Sequence, residues 1–392
     1  MSLNSTPSAN RTHIGFFGRT NAGKSSLVNA FSSQSVSVVS DIAGTTTDPV
    51  KKSMELLPLG PVELCDTPGL DDTSELGNER IKRAKRILDS TDIAVIVVDA
   101  SLGMTDSDNE LIQAIKDKKI PYITAMNKSD MLDAIPEDSE NTIFVSAANG
   151  YGIEKLKESV AKLIPEEKEK SLLPDAVKQG DTVILVIPID ESAPKGRLIL
   201  PQQQTIRELL ERGVSVICCR DTELSETLSK LKDKPKLVIT DSQAFGYVSK
   251  IVPSDIYLTS FSILFARFKG DLEVLVSGAT KLDSLSDGDK ILISEGCTHH
   301  RQCNDIGSVK LPKMIHSYTG KKLEFAFTSG GEFPEDLSEY ALVIHCGACM
   351  LNEREMKSRM EKAGNAEIPM TNYGTAISKM NGILERSLSL LF

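Results

Sequence analysis

The sequence predicts an α/β protein in which a doubly wound parallel sheet is followed by two smaller α/β domains. Three observations predict this class. Apolar runs of strand length alternate with amphipathic helical patterns through residues 13–163. The same alternation resumes over 182–239, and it starts again after about residue 270. The length of 392 residues suits two or three domains of ordinary size.

Composition and charge exclude several classes of protein. Lys and Arg number 45 against 55 Asp and Glu, and the net charge of −10 disfavours a protein whose main task is coating nucleic acid. No apolar run approaches the roughly 18 residues of a membrane helix. Residues 1–11 lack the apolar segment of a secretory signal. We therefore expect a cytoplasmic protein with no membrane partner and no nucleic-acid partner.

The predicted elements divide the chain into three domains and a linker. The domains cover residues 1–165, 181–268 and 269–392, and the charged, Pro-containing stretch 166–180 is the linker. The predicted strands are 13–17, 62–65, 92–98, 121–126, 142–145, 182–189, 214–219, 236–239, 291–294, 323–327 and 342–344. The predicted helices include 25–31, 76–88, 203–211, 223–231 and 373–391.

The strongest motif lies directly after the first predicted strand. The run from Gly18 to Ser25 matches G-x-x-x-x-G-K-[ST] and opens a predicted helix, which is the context that a phosphate-binding loop requires. Backbone amides of such a loop and helix N-terminus cradle phosphates. Lys24 is placed to reach the β- and γ-phosphates, and Ser25 is placed to hold Mg²⁺. A glycine-rich turn without a ligand is the weaker alternative.

Three further motifs follow later predicted strands. Asp66 begins D-T-P-G, where its carboxylate can hold the outer shell of the metal and Gly69 can sense the γ-phosphate. Asp130 ends N-K-S-D and can accept two hydrogen bonds from guanine N1 and N2, which adenine does not offer. A Ser-Ala pair at 146–147 lies where a loop backbone can meet guanine O6. Four motifs in this order predict a P-loop GTPase that binds GTP and Mg²⁺.

These motifs resemble the TrmE/Era branch of the translation-factor-like GTPases. That branch carries G-R-x-N-A-G-K-S-S-L and G-T-T-x-D, and this chain reads GRTNAGKSSL and GTTTD. The resemblance implies that Thr46 is the switch ligand of Mg²⁺. It also implies that Asn21 coordinates a K⁺ ion, as in the potassium-activated members; a plain turn residue is the alternative.

The resemblance also bears on hydrolysis. Leu70 stands where Ras-like proteins place a water-orienting glutamine, so we expect turnover to be slow unless K⁺ supplies the missing charge. The expected catalytic residues are Lys24, Asn21, Thr46 and Gly69. The expected nucleotide-binding residues are Gly18, Asn21, Ala22, Gly23, Lys24, Ser25, Ser26, Thr46, Asp66, Gly69, Asn127, Lys128, Asp130, Ser146 and Ala147.

The middle segment, residues 181–268, contains no catalytic constellation in its sequence. Its apolar patches suit a folding and association module. GTPases of the TrmE/Era branch often act through self-association, so we expect a homodimer.

The C-terminal segment concentrates cysteine and histidine. Four of the seven cysteines and four of the five histidines lie within residues 297–349. The two sequences C-T-H and H-C-G-A-C follow predicted strands, whose carboxyl ends are where ligands gather in an open parallel sheet. In a reducing compartment such clustering indicates metal or redox chemistry before disulfides.

A C-x-H…H-C-x-x-C pattern behind a TrmE/Era-like GTPase resembles the HydF family, the GTPase maturases of FeFe-hydrogenase. The resemblance implies a scaffold for a 4Fe–4S cluster and a transient diiron precursor, which it receives from radical-SAM maturases and hands to the hydrogenase. GTP is then expected to act as a switch for partner interaction. The residues that match the family's ligands are Cys297, Cys346 and Cys349, with His299 and His345 as metal ligands or as hydrogen-bond donors to cluster sulfur.

Other interpretations stay open at this point. Cys303 lies outside the family pattern and fits an ordinary loop thiol. Two cysteines and two histidines also form a common structural zinc site. A zinc-containing GTPase of RNA or ribosome assembly is the alternative function, although the acidic charge and the lack of a basic aromatic signature disfavour it. A binding module with merely buried cysteines is a third interpretation.

Overall fold

The computed structural model describes residues 6–32, 51–68, 84, 86–163, 170–189, 198–297 and 305–392. The chain divides into two compact units, Met1–Lys168 and Glu169–Phe392. Both units are built from strands that alternate with helices, which confirms the predicted α/β class. In the described part of the chain, no helix combines the length and the apolarity needed to cross a membrane.

The first unit contains one six-stranded sheet in the order β2-β3-β1-β4-β5-β6. All its pairings are parallel except that of β2 with β3. Its strands are β1 Thr12–Phe17, β2 Lys51–Leu56, β3 Gly60–Asp66, β4 Ile93–Asp99, β5 Tyr122–Asn127 and β6 Thr142–Phe144. The helices that lie wholly within its described residues are α1 Lys24–Ser32, α2 Asp106–Asp117 and α3 Ile153–Ala161.

Buried side chains cover both faces of this sheet. Along β4 every residue is buried, and alternate side chains enter two different apolar clusters. One cluster includes apolar residues of α1 and α3, and the other includes Ile115 of α2. Helices on both faces of a parallel sheet define the doubly wound arrangement.

One strand of the first unit was not predicted, and one predicted helix lies mostly outside the described residues. The edge strand β2 was not predicted, because its sequence KKSMEL is mostly polar and pairs antiparallel at the sheet margin. The predicted helix 76–88 lies mostly outside the described residues, although residues 84 and 86–89 are helical.

The second unit contains two four-stranded parallel sheets, in the orders β10-β9-β7-β8 and β12-β11-β13-β14. The strands are β7 Thr182–Val186, β8 Ser215–Cys219, β9 Leu237–Thr240, β10 Tyr257–Ser260, β11 Lys290–Glu295, β12 Glu324–Ser329, β13 Leu342–His345 and β14 Met370–Asn372. The helices are α4 Leu200–Glu211, α5 Leu224–Lys230, α6 Phe245–Ile251, α7 Phe261–Lys269, α8 Leu272–Ala279, α9 Leu311–Thr319, α10 Glu353–Asn365, α11 Tyr373–Met380 and α12 Leu384–Leu388.

One apolar core runs between these two sheets. Ile184 and Val238 of the first sheet belong to the same buried cluster as Ile291 and Val343 of the second. Helix α7 has buried residues at most of its positions, and a helix that is apolar nearly all round belongs in the interior. Its start is fixed by Ser260, whose hydroxyl accepts a hydrogen bond from the Ile263 amide.

The predicted linker and the predicted C-terminal helix differ from the structure. Leu172, Leu173 and Val177 are buried in a core of the second unit, so the later half of 166–180 is packed. The predicted helix 373–391 is two helices, because Gly382 adopts a φ of +69° after α11. The Gly382 amide donates to the Lys379 carbonyl and the next amide to the Ser378 carbonyl, which together end a helix.

Candidate functional site

The phosphate loop is shaped by two glycines that no other residue can replace. Gly18 follows β1, and a Cβ there would lie 2.2 Å from the Val97 carbonyl oxygen. Gly23 has a φ of +88°, and its Cβ would lie 2.3 Å from the amide nitrogen of the Asn127 side chain. Both contacts are shorter than any real Cβ contact, so the loop backbone lies directly against strands β4 and β5.

Lys24 begins α1 and is buried inside this loop. Its Nζ donates hydrogen bonds to the carbonyl oxygens of Gly18 at 3.0 Å and Arg19 at 2.7 Å. An ammonium group held at the centre of the loop, at a helix N-terminus, gives the loop the positive charge that a phosphate requires.

Ser25 and Asp66 meet at the expected magnesium position. The Ser25 hydroxyl donates to Asp66 Oδ2 at 2.5 Å, and Asp66 Oδ1 is buried without a hydrogen-bond partner among the described residues. Burial raises the pKa of Asp66, against the opposing effects of the Ser25 hydrogen bond and the Lys24 charge. A hydroxyl and an unpartnered buried carboxylate oxygen are the hard donors that Mg²⁺ prefers, so these residues fit the ion. Thr46 and Gly69 lie outside the described residues.

Asn127 links the phosphate loop to the loop after β6. Its side-chain nitrogen donates to the Ala22 carbonyl at 2.9 Å, and its Oδ1 accepts from the Ala147 amide at 3.1 Å. Asn127 is buried, and its side-chain amide connects the two loops through these two hydrogen bonds.

The predicted base-binding residues lie together beside Asn127. The Ser146 hydroxyl donates to Asp130 Oδ1 at 2.5 Å, which orients an exposed carboxylate. Lys128 has a φ of 63°, and its ammonium group pairs with Asp99 Oδ2 at 2.6 Å. Sequence reasoning missed Asp99, although its position as the last residue of a buried strand was a usable signal.

The thiols meet at the carboxyl ends of two neighbouring strands in the second unit. Strands β11 and β13 pair in register, with Ser294 opposite His345, so the residues that follow each strand share one edge. The Cys346 sulfur accepts hydrogen bonds from the Gly296 amide at 3.1 Å and the Ala348 amide at 3.4 Å. Cys297 is the residue after Gly296, so the two predicted cysteine segments do converge.

The three thiols influence one another electrostatically. Burial raises the pKa of Cys297, and the neighbouring Cys346 and Cys349 raise it further. Burial and the Cys349 charge raise the pKa of Cys346 to about 11, although the two amide hydrogen bonds oppose the shift. Such thiols need a cation to become thiolates, and a metal is the ordinary agent.

His345 is fully buried, and hydrogen bonds engage both its ring nitrogens. Its Nδ1 donates to the Cys346 carbonyl at 2.9 Å, and its Nε2 accepts from Arg359 Nη1 at 2.9 Å. Burial and the Arg359 charge lower the pKa of His345 to about 3, so the ring is neutral. In this arrangement neither nitrogen is available to a metal, and His345 instead orients the peptide of Cys346.

The sequence analysis did not identify two buried cationic side chains near the thiols. Arg359 on α10 donates to the Gly330 carbonyl and to Glu355 while it holds His345. Lys269 at the end of α7 donates to carbonyls of the loop that carries Cys349. Neither cation has a motif or a short sequence spacing that connects it with the cysteines.

Other parts of the predicted metal site are not described. His299 and Cys303 lie outside the described residues. Within the described ranges, no group of three His, Cys, Asp or Glu side chains stands at metal-binding separation. The convergence therefore consists of three half-buried thiols, two amide donors to sulfur and a buried ammonium group.

Comparisons with known proteins assign all three parts of the chain. Residues 13–128 match the family of the 50S ribosome-binding GTPase. Residues 172–270 match the Hydrogen maturase F dimerization domain, and residues 273–390 match the Hydrogen maturase F tetramerization domain.

Relatives of known name resemble the first unit. The tRNA modification GTPase MnmE of Nitrosomonas europaea is 36% identical over 150 residues, which are 37% of this chain and 33% of that protein. MnmE of Legionella pneumophila is 36% identical over 151 residues, 38% of this chain and 33% of that protein. The chain thus spans about a third of the length of these curated relatives. A crystal structure of Aquifex aeolicus Era bound to GDP and aluminium fluoride is 22% identical, with a TM-score of 0.33, over 53% of this chain and 91% of that one.

The fold and the loop geometry define a P-loop GTPase domain at the head of the chain. The two maturase domains that follow it together match more than half of the residues. The chain belongs to the hydrogen maturase F family, the family that its motifs resemble.

The magnesium position leads to a first prediction. Because burial raises the pKa of Asp66, its ionised form opposes folding above the carboxyl's unfolded pKa, and this penalty fades as the pH falls. We expect Asp66→Asn to leave the nucleotide-free protein at least as stable as the wild type at pH 7.5 in urea unfolding. The same change should weaken Mg²⁺-dependent nucleotide binding about 10- to 100-fold in calorimetry, as the loss of an outer-shell group does.

Asp138→Asn serves as the control for this prediction, because it removes a surface ion pair with Lys155 while the side-chain oxygen can still accept the hydrogen bond from the Phe144 amide. A wild-type dependence on Mg²⁺ in the Asp66 variant would show that this carboxylate does not serve the metal.

Proposed function

We propose that the protein is a GTP-hydrolysing scaffold that carries a 4Fe–4S cluster and a diiron precursor during the maturation of FeFe-hydrogenase. One observation carries this proposal: a chain of the hydrogen maturase F family combines a formed phosphate loop with three half-buried thiols that converge at one sheet edge. Its partners are the radical-SAM maturases and the hydrogenase, and it works in the cytoplasm.

Cys297, Cys346 and Cys349 hold the cluster in this proposal. Thiolates are the usual ligands of such clusters, and three of them leave one of four irons without a cysteine. The cluster, when bound, supplies an iron with an exchangeable ligand at which a second metal fragment can dock and leave. His299 is the histidine proposed for that position, whereas His345 shapes the loop because both its ring nitrogens are engaged.

The amides that donate to Cys346 support a charged sulfur. Hydrogen bonds from Gly296 and Ala348 to this sulfur favour the thiolate over the thiol, and they lie at the same edge as Cys297. A structural zinc ion would use the same donors. The absorption spectrum distinguishes the zinc ion from the cluster, since an iron–sulfur protein is brown and a zinc protein is colourless. Salt-dependent RNA binding would instead favour the RNA-assembly alternative.

GTP acts as a switch for partner interaction in this proposal. The phosphate loop and the thiols belong to different compact units, which suits a role for GTP in switching partner interaction more than in cluster chemistry. Coupling through a switch is typically about 1–3 kcal/mol, enough to alter partner affinity by one to two orders of magnitude. Identical binding of the hydrogenase with GTP, with GDP and without nucleotide would contradict this role.

K⁺ is the proposed activator of hydrolysis. Asn21 has a φ of 62° and an exposed side chain at the rim of the phosphate loop, where a monovalent cation can meet the phosphates. We expect GTP turnover in K⁺ to exceed that in Na⁺ at equal ionic strength about tenfold, the effect of about 1.4 kcal/mol on the barrier. Asn21→Ala should remove the difference, and Asn109→Ala on the surface of α2 should keep it. Equal rates in the two salts would reject the K⁺ site.

Serine substitution tests the thiol ligands. We expect Cys297→Ser, Cys346→Ser and Cys349→Ser each to abolish or cripple cluster assembly, because a neutral hydroxyl is a poor substitute for a thiolate. Anaerobic reconstitution, iron analysis and electron paramagnetic resonance measure the cluster, and a steady-state assay should find GTP hydrolysis retained. None of the three variants should support activation of the hydrogenase by the maturases.

Two cysteines serve as controls for these substitutions. Cys303→Ser and Cys218→Ser, the latter at an exposed position on β8, should leave the cluster signal largely intact. A Cys346 variant with a full 4Fe–4S spectrum would reject the ligand set, and so would loss of all iron from the Cys303 variant.

Strand β8 is the proposed dimer contact. It is the outer strand of its sheet, and within the described residues it pairs only with β7. The Ser215 amide donates to the Asp181 carbonyl at 2.9 Å, and the Cys219 carbonyl accepts from the Ile187 amide at 2.8 Å. Since bonding residues alternate in a parallel ladder, Val216 and the residue at 218 direct their backbone groups to the open edge. A second copy can extend the sheet there.

Proline at the open edge tests this contact. We expect Cys218→Pro to weaken the homodimer at least about tenfold in mass photometry, because it removes an outward amide donor and leaves the ladder with β7 intact. Cys218→Ala keeps the amide and should dimerise like the wild type. Unchanged dimerisation of a folded proline variant would place the contact elsewhere.

A further inference from the structure

Lys269 is a charged residue of the second unit that lies almost wholly inside the protein. It ends helix α7, inside the region that matches the dimerization domain, and only 1% of its surface is exposed. Its ammonium nitrogen lies 5.7 Å from the centroid of the Phe265 ring. Lysines at helix ends normally reach solvent, and a lysine is almost never fully buried unless it is paired.

The ammonium group points at one loop of the other maturase domain. Its Nζ donates to the carbonyl oxygens of Ala348 at 3.2 Å, Cys349 at 3.2 Å and Leu351 at 2.5 Å. Three acceptors equal the three protons of the group. The loop between Cys346 and Leu351 therefore surrounds the ammonium group of Lys269 with carbonyl oxygens.

The peptide geometry of this loop joins the lysine to the thiols. Ala348 has a φ of 54°, a left-handed conformation that is uncommon for alanine. Its amide donates to the Cys346 sulfur at 3.4 Å, and its carbonyl accepts from Lys269. One residue thus turns a donor towards the sulfur and an acceptor towards the ammonium group, so the lysine helps to hold the conformation that presents the thiol.

The charge of Lys269 also acts on the thiols. The ammonium group is buried, and the ionisable groups whose charges act on it are Cys349 and Cys346, ahead of Glu353 and Glu355. A buried charge costs several kcal/mol unless an opposite charge lies nearby. Anionic sulfur at the loop is that opposite charge.

We propose that Lys269 is a positioning residue that shapes the Cys346–Cys349 loop and supplies the buried positive charge that balances an anionic metal–thiolate group. The inference rests on the proposed function, since the group is the one that the three thiols hold. A lysine from the dimerization domain thereby forms part of the surroundings of a metal site in the adjoining domain.

Three substitutions in the full chain separate charge from hydrogen bonding. Lys269→Arg keeps the charge, Lys269→Gln keeps amide donors for the carbonyls without the charge, and Lys269→Met removes both. Lys157→Met is the matched control, because Lys157 is also buried and lies 5.9 Å from the centroid of the Phe31 ring, in the first unit.

The first readout is the midpoint potential of the reconstituted cluster. Electron paramagnetic resonance measures it during an anaerobic redox titration. We expect the Gln variant to have a more negative potential than the wild type, because a reduced cluster loses a compensating charge. The Arg variant and the Lys157 control should keep the wild-type potential. Equal potentials in the Gln, Arg and wild-type proteins would overturn the proposal, and so would a failure of all three Lys269 variants to take up iron that the wild type takes up.

The second readout is Co²⁺ titration of the metal-free chain, which reports thiolate ligation by charge-transfer absorption without any iron. We expect Co²⁺ affinity to fall at least about tenfold in the Gln and Met variants and to persist in the Arg variant. A wild-type chain that takes up no cluster rejects the proposed function, and the Co²⁺ series still tests Lys269. Co²⁺ affinity that is equal in all variants overturns the role of Lys269 while the scaffold proposal stands.

Discussion

Parallel pairing of buried strands is the constraint on which both candidate sites depend. In the first unit the phosphate loop follows β1, the Asp66 segment closes β3, and the base-binding segments follow β5 and β6. In the second unit the two cysteine segments follow β11 and β13. Because all these strands run in one direction within their sheet, their ends reach one edge, and residues far apart in sequence become neighbours there. Reversal of a single strand would carry its functional segment to the opposite edge.

Each site holds a lysine in the same physical manner. Lys24 donates to carbonyls of the phosphate loop, and Lys269 donates to carbonyls of the cysteine loop. Carbonyl dipoles solvate a buried ammonium group and keep it in place. Each loop therefore holds a buried positive charge, which favours a phosphate in one unit and anionic sulfur in the other.

Sequence patterns predicted those parts of the fold whose signals are local. The run at β4 is buried on both faces and contains no polar residue before its end, so it was recognisable as a strand. The phosphate loop was recognisable because its residues are contiguous. Strand β2 was missed because an antiparallel edge strand needs few apolar residues. The break after α11 was missed because Gly382 acts through its backbone conformation, which the surrounding amphipathic pattern conceals.

In the candidate sites, too, the residues with a local sequence signal were predicted and those that depend on tertiary contacts were missed. The cysteines were found through clustering, whereas Lys269 lies 80 positions before Cys349 and follows a strongly apolar helix. From the sequence alone, a lysine at the end of a helix is expected to be solvated, and only the tertiary contacts show that this one is buried. The role of His345 likewise depended on Arg359, which approaches from α10 and carries no motif.

The continuous core between the two sheets of the second unit has a consequence for how this chain can be divided into fragments. The two maturase regions meet between residues 270 and 273, yet Ile184 and Val238 share one interior with Ile291 and Val343 across that junction. The boundary between the two family domains therefore does not coincide with a break in the apolar core. A fragment cut there would present to water the apolar side that the missing half covers, so we expect the two regions to fold and unfold together.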